Sequence, residues 1–211
     1  MATARHTPLI VGLGGTTRPG SSTEQALRCA LDAARAHGAE TALIAGPELV
    51  LPMFAPESPA RTPEAGRLIE LLRRSDGVLL ASPGYHGSIS GLLKNALDYT
   101  EDMRGDARSY FDGRAVGCIV SAAGWQAVGS TLAAMRSIVH ALRGWPTPLG
   151  VGINSTTKCF APDGSCLDEA VAGQLRMMAG QVVEFAAMRH AHAERHGATH
   201  EAAAGRLAAA G

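Results

Sequence analysis

Apolar residues in this chain fall into two alternating patterns: short continuous runs, and longer stretches in which they recur every three or four positions. The runs Leu9–Gly14, Glu40–Ala45, Val78–Ala81 within 77–82, Ala115–Ser121 and Thr147–Ile153 are of strand length. Such runs are what strands buried on both faces require. Between them lie stripes of helical period. Ala26, Leu27, Ala30, Leu31 and Ala34 form the first, and 64–75 forms another. Leu92, Leu93, Ala96 and Leu97 mark a helix over 89–104, and Leu132, Met135, Val139 and Leu142 the next. Val171, Leu175, Met178, Val182 and Phe185 close the series with alternating steps of four and three. Each stripe supplies one buried helix face. Five strands separated by helices predict an α/β protein with a parallel sheet.

The segments that join strand to helix carry the candidate chemistry, because open parallel sheets bind ligands at the carboxyl ends of their strands. After the first strand comes Gly15-Thr-Thr-Arg-Pro-Gly-Ser-Ser-Thr23. Thr16, Ser21, Ser22 and Thr23 offer hydroxyls, the helix N-terminus offers amides and a favourable dipole, and Arg18 offers a bidentate cation. A phosphate monoester suits that set. The dinucleotide fingerprint is incomplete, since its third glycine would fall at Thr17, and no Gly-Lys-Ser/Thr tripeptide follows the strand. After the third strand comes Ser82-Pro-Gly-Tyr-His-Gly-Ser-Ile-Ser-Gly91, rich in turn formers. After the fourth comes Ser121-Ala-Ala-Gly-Trp125, whose Gly124 permits close approach of a planar ring.

Together, Gly15–Thr23 and Pro83-Gly-Tyr-His-Gly-Ser-Ile-Ser-Gly-Leu-Leu-Lys-Asn-Ala-Leu-Asp98 resemble the NAD(P)H-dependent FMN reductases of flavodoxin-like fold, from about Leu9 to Met188. That family's phosphate loop reads Gly-Ser-x-Arg-x-x-Ser-x-Asn. Arg18 and Ser21 match it; Thr16 stands in for the first serine and Thr23 for the asparagine, which keeps hydrogen-bonding groups at both positions. With right-handed crossovers, the resemblance implies a three-layer sandwich whose five strands run in the order 2-1-3-4-5. It also implies that Thr16, Arg18, Ser21, Ser22 and Thr23 hold the FMN phosphate. Pro83, Gly84, Tyr85, His86, Gly87 and Ser88 would follow the isoalloxazine edge, and Ser121, Gly124 and Trp125 would close its other side. Tyr85 and Trp125 are stacking or rim candidates.

Hydride transfer from NADPH or NADH to flavin needs no protein acid or base, so no catalytic residue is certain. His86 is the candidate proton donor, against the plainer reading that it shapes a turn. The resemblance further implies a homodimer or homotetramer, in which helix 89–104 or the apolar Leu49-Val-Leu-Pro-Met-Phe54 stretch makes contact. The acceptor would be flavin, with a flavin-dependent monooxygenase as a partner receiving it reduced. The nearest alternative is a reductase of a quinone, azo compound or pathway intermediate, with the same cofactor site. An electron carrier of flavodoxin type is disfavoured, because such carriers tend to be acidic. A Ser-His hydrolase is disfavoured too, because Ile89 occupies the centre of Gly87-Ser-Ile-Ser-Gly91, where a nucleophile elbow needs serine.

Composition narrows the surroundings. Nineteen basic residues balance nineteen acidic ones, with a pI near 7.1, so nothing advertises nucleic acid or an anionic membrane. No run is long enough to span a bilayer, and Met1–Pro8 lacks a signal peptide's apolar region; a cytoplasmic protein is expected. The FMN-binding domain is expected over 1–189, followed by a His- and Ala-rich tail over 190–211 as a frayed helix or disordered segment. His190, His192, His196 and His200 have no accompanying carboxylate framework, so no metal site is expected there. Of four cysteines, Cys29 and Cys118 fall on apolar elements. Cys159 and Cys166 enclose six residues, a spacing of neither a zinc knuckle nor a C-x-x-C motif. A reduced loop is expected, with a conditional disulfide as the alternative.

Overall fold

A computed structural model describes residues 6–208, with side chains through His196. Strand β1 (Leu9–Gly14) leads into helix α1 (Ser22–Ala36), then β2 (Glu40–Ala45), α2 (Pro63–Arg74) and β3 (Gly77–Tyr85). A two-residue strand β4 (Ser88–Ile89) precedes α3 (Gly91–Asp98), which tightens into a 3₁₀ turn at Tyr99–Met103. Then follow β5 (Ala115–Ala122), α4 (Trp125–Ala141), β6 (Trp145–Pro146), β7 (Val151–Asn154) and α5 (Glu169–Ala208).

The sheet runs β2-β1-β3-β5-β6, with β7 also paired to β5 and all of these pairings parallel. The expected order therefore holds, but the described residues form seven strands rather than five, for two reasons. The fifth strand is broken: β6 pairs with Ala115–Val116 and β7 with Ile119–Ala122. Between them, Thr147 still donates its N–H to Val116 O (3.0 Å), but Pro148 has no N–H to continue the ladder. The other extra strand is β4. It folds back on β3, pairing Gly84 with Ile89 and Tyr85 with Ser88. The segment expected to be a loop at 83–88 is thus the end of a longer strand and its hairpin. Likewise α3 stops at Asp98, short of the helix expected over 89–104.

Side chains alternate across the sheet into two cores. Ile10, Leu79 and Ile119 pack with Leu27 and Leu31 of α1 and Leu175, Met178 and Val182 of α5. Val11, Leu13, Val78 and Leu80 pack on the opposite face with Leu68 and Leu72 of α2, Leu93 and Leu97 of α3, and Met135 and Val139 of α4. Burial on both faces of β1, β3 and β5 explains why these strands read as continuous apolar runs. Arg114 is fully buried at the amino end of β5; its guanidinium donates to the carbonyls of Arg73, Ser75, Tyr110 and Asp112. Burial, and after it the Arg108 charge, lower its pKa to about 10. The boundary expected at residue 189 is not a break in secondary structure, since α5 continues across it to Ala208. Residues 209–211 of the expected tail, and the His200 side chain, lie outside what is described. Among the described residues, no helix is long and apolar enough to cross a membrane, and no group of His, Cys, Asp or Glu is placed to hold a metal.

Candidate functional site

The connections after β1, β3 and β5 emerge at one end of the sheet. The parallel register sets Gly14 beside Ala81, and Pro83 beside Ser121. Gly14 has to be glycine: a Cβ there would lie 2.0 Å from the Ala81 carbonyl oxygen. The close approach lets Gly15 N–H bond to that same carbonyl (3.1 Å), so the β1 connection leaves the sheet tightly.

Thr16 shapes the next turn, its hydroxyl bonding both the N–H and the carbonyl of Arg18 at 3.2 Å. Ser21 caps α1, accepting from Glu24 N–H at 3.3 Å. Glu24 is nearly buried beneath the loop. Its carboxylate accepts Gly20 N–H (3.0 Å) and pairs with Arg28 (2.7 Å), which neutralises it. What remains open is informative. Among the described residues, the N–H groups of Thr16, Thr17, Ser21, Ser22 and Thr23 have no protein acceptor, and the exposed Arg18 guanidinium has no partner. Thr23 is only 2% exposed and its hydroxyl makes no protein hydrogen bond. A positive helix terminus, open donors and one uncompensated cation are the features an anion receptor needs.

The hairpin between β3 and β4 turns at His86 and Gly87, both with positive φ (50° and 82°). Two consecutive positive φ values are the mark of a tight hairpin turn that matches strand twist. His86 is exposed there, and histidine is among the residues enriched in that conformation. Ser82 anchors the hairpin base: its hydroxyl donates to Pro83 O (2.8 Å) and accepts Ser90 N–H (2.9 Å), while Ser90 caps α3. Gly84 lets the hairpin lie against α4, because a Cβ there would meet Thr131 Oγ1 at 2.8 Å and Ala122 Cβ at 2.9 Å. In the third connection, Gly124 (φ 102°) donates its N–H to Asn154 Oδ1 of β7 at 3.2 Å. Trp125 follows at the start of α4, 66% exposed; Tyr85 on the hairpin is 54% exposed.

A shallow cleft of about 170 Å³ is lined by Thr16, Thr17, Pro83, Tyr85, Ser90, Gly91 and Leu92. It joins the first two loops, as the sequence suggests for Thr16, Pro83 and Tyr85. Arg18, Ser21, Ser22 and Thr23 lie in the loop and helix start beside Thr16 and Thr17. Gly84 underlies the hairpin, His86, Gly87 and Ser88 form its tip, and Ser121, Gly124 and Trp125 form the third loop; none of these lines the cleft itself. Sequence reasoning placed Thr17 with the other hydroxyls of the first loop, but missed Ser90, Gly91 and Leu92 as lining residues, and Asn154 as the brace of the third loop. Of these, only Ser90 carried a local signal, a serine immediately before a helical stripe.

A flavin mononucleotide fits the groups present. Its phosphate matches the open donors and Arg18, and the β3–β4 hairpin and the third loop lie at the same end of the sheet as the loop that carries them. The layered parallel sheet is of flavodoxin-like class. Residues 8–158 match the family described as NADPH-dependent FMN reductase, and the chain belongs to that family. A relative in Staphylococcus aureus, named FMN-dependent NADPH-azoreductase, is 32% identical over 120 residues. The match spans 56% of this chain and 60% of the relative's length. Among solved structures, the flavoenzyme NAD(P)H:(acceptor) oxidoreductase FerB from Paracoccus denitrificans superposes with a TM-score of 0.67 at 22% identity, covering 87% of this chain and 99% of that one. An NADH:FMN oxidoreductase superposes at 0.64 with 19% identity, covering 84% and 89%. These two likenesses bear on the fold alone.

Proposed function

We propose that the protein is an NAD(P)H-dependent FMN oxidoreductase. It accepts hydride from NADPH or NADH and delivers the electrons to free flavin or to a small organic acceptor. The observation that carries this reading is the anion receptor at the amino end of α1, open beside two glycine-bearing loops, in a chain of this family. In the bound state the flavin supplies the redox chemistry, taking hydride from the nicotinamide. The chain supplies binding and orientation. Thr16, Arg18, Ser21, Ser22 and Thr23 hold the phosphate. Pro83, Gly84, Tyr85, Gly87 and Ser88 present backbone along the ring edge, and Ser121, Gly124 and Trp125 bound its other side. His86 is accounted for by its turn geometry, and no proton-transfer role is assigned to it. NADPH is favoured as donor because the family description and the azoreductase relative both name it.

A second reading, the same cofactor site serving an azo compound or quinone, is favoured by that relative's name. In either case we expect a cytoplasmic homodimer or homotetramer, with Val50 and Met53, 62% and 80% exposed, in the contact. A flavin-dependent monooxygenase is the expected partner if free flavin is the acceptor. The domain responsible is expected to end near residue 189. The deciding experiment is stopped-flow reduction of FMN-loaded protein. Bleaching of the flavin band by NADPH or NADH, then turnover on added FMN, supports a flavin reductase. Turnover only with an azo dye or quinone supports the second reading. No bleaching by either nucleotide overturns the oxidoreductase assignment.

A further inference from the structure

Outside the flavin site, one group of nucleophiles has no part in the proposed chemistry. Residues 159–167 form a small hairpin just before α5. Phe160 and Cys166 are bridged antiparallel, with Leu167 N–H donating to Cys159 O (2.8 Å) and Ala161 N–H to Ser165 O (2.9 Å). The turn is fixed by Gly164 at φ 87° and by Asp163, whose carboxylate accepts the N–H and hydroxyl of Ser165. This framework brings the Cys159 and Cys166 sulfurs to 3.8 Å from each other. We propose that Cys159 and Cys166 are a thiol pair that hydrogen peroxide converts, reversibly, to a disulfide closing this hairpin.

The geometry gives the two thiols different parts. Cys166 is half-buried and reachable from solvent, whereas Cys159 is 8% exposed. Burial first, then the bond to Cys166, push the Cys159 thiol up to about 12, so it stays protonated in the ground state. Cys166, as thiolate, attacks the peroxide O–O bond. An S–O bond forms, the O–O bond breaks, and hydroxide leaves as water after protonation. The Cys159 sulfur then attacks the sulfenic sulfur of Cys166, forming the S–S bond and expelling a second water. Two thiols lose two electrons and two protons, and one peroxide becomes two waters. Closing the contact to a covalent S–S bond of about 2 Å asks for side-chain rotation and a small backbone shift in a short hairpin. Two other cysteines bracket the proposal. Cys29 on α1 lies against the same hairpin, its thiol donating to Gly164 O at 3.6 Å. Cys118 is buried in β5, and burial pushes its pKa up to about 12, so it serves as an internal control.

The test treats the purified full chain with hydrogen peroxide, alkylates the remaining thiols, and digests with trypsin. Cleavage after Lys158 and Arg176 leaves both cysteines in one peptide, whereas Cys29 lies in the separate peptide ending at Arg35. The expected result is a 159–176 peptide lighter by two hydrogens and unalkylated. Prior reduction with a phosphine should restore two alkylation sites, and Cys118 should be alkylated throughout after denaturation. In the Cys159→Ser variant, dimedone should trap Cys166 as its sulfenic acid. Full alkylation of Cys159 and Cys166 after peroxide, or a disulfide joining the Cys29 peptide to Cys166, overturns the proposal. Because the primary reading is taken on the wild-type chain, it does not depend on the variant folding.

Discussion

Replacing Arg18 by alanine separates phosphate recognition from everything else the chain does. The Arg18 guanidinium has no hydrogen bond or ion pair among the described residues, and the turn around it is held by the Thr16 hydroxyl through Arg18's main chain rather than its side chain. An exposed side chain without partners should alter folding stability by no more than about 0.5 kcal/mol. Against a bound phosphate, a charge-assisted hydrogen bond is worth about 1.5–3 kcal/mol. Solvent around an exposed arginine puts Arg18 at the lower end, so FMN affinity should fall about tenfold. Riboflavin lacks the phosphate, and its affinity should be unchanged in the variant. In the wild type, riboflavin forgoes Arg18, the open amides and the hydroxyls together, a loss of about 3 kcal/mol or more, or roughly a hundredfold and beyond. Titrating both flavins into both proteins by flavin fluorescence gives the full cycle. Equal weakening of FMN and riboflavin would mean that Arg18 shapes the site rather than grips phosphate. Equal affinities of the wild type for the two flavins would refute the anion receptor itself.

Three further outcomes are expected. Gly84→Ala forces a methyl group against Thr131 and Ala122, so urea unfolding should show a loss of about 1–3 kcal/mol, with weakened FMN binding. Asp102 is held below its ordinary value of 3.8, chiefly by the hydrogen bond from Arg61, so the pair stabilises the fold above that pH and loses its effect as pH falls through the lowered value. Asp102→Asn should therefore melt lower than wild type at neutral pH, with the two curves converging below pH 3.8; a constant gap down to strong acid would contradict the pairing. FMN should quench tryptophan emission through Trp125 at the site end, and Trp125→Phe should abolish most of that quenching, leaving Trp145, which lies against Phe185, as the residual emitter.

The elements that local pattern decides were legible in the sequence. Strands β1 and β2 and the stripe of α1 follow directly from apolar spacing, and burial on both faces of β3 follows from its unbroken run. What the pattern concealed was decided by groups distant in sequence. The hairpin at His86-Gly87 depends on Ser82 and Ser90 meeting across it, and on Gly84 finding room against Thr131 of α4. The break in the last strand follows from one missing N–H at Pro148, which an apolar run does not register. Asn154 reads as a plain strand end, yet its side chain holds Gly124. At the anion receptor the loop was readable from its residue types, but the neutralisation of Glu24 was not. An acidic residue in the first turn of α1 looks hostile to phosphate until Arg28 and Gly20 are found on its two oxygens.

On the proposed reading, that neutralisation lets the loop accept an anion within one helical turn of a carboxylate. Glu24 has one oxygen committed to Arg28, at 2.9 and 2.7 Å, and the other to Gly20 N–H at 3.0 Å. With both oxygens engaged, the carboxylate braces the loop while its charge is offset locally, and the amides of Ser22 and Thr23 stay open. Arg28 is engaged in this pair, so on the proposed reading Arg18 is the cation expected to set phosphate affinity. The proposed function therefore gives the two arginines separate roles, Arg28 compensating the brace and Arg18 meeting the phosphate. Arg28→Ala should consequently weaken FMN by a different route from Arg18→Ala, by exposing the phosphate to an uncompensated Glu24. A second change, Glu24→Gln, should restore binding to Arg28→Ala while doing nothing for Arg18→Ala. Rescue of both variants, or of neither, would mean that the two arginines do not divide the work in this way.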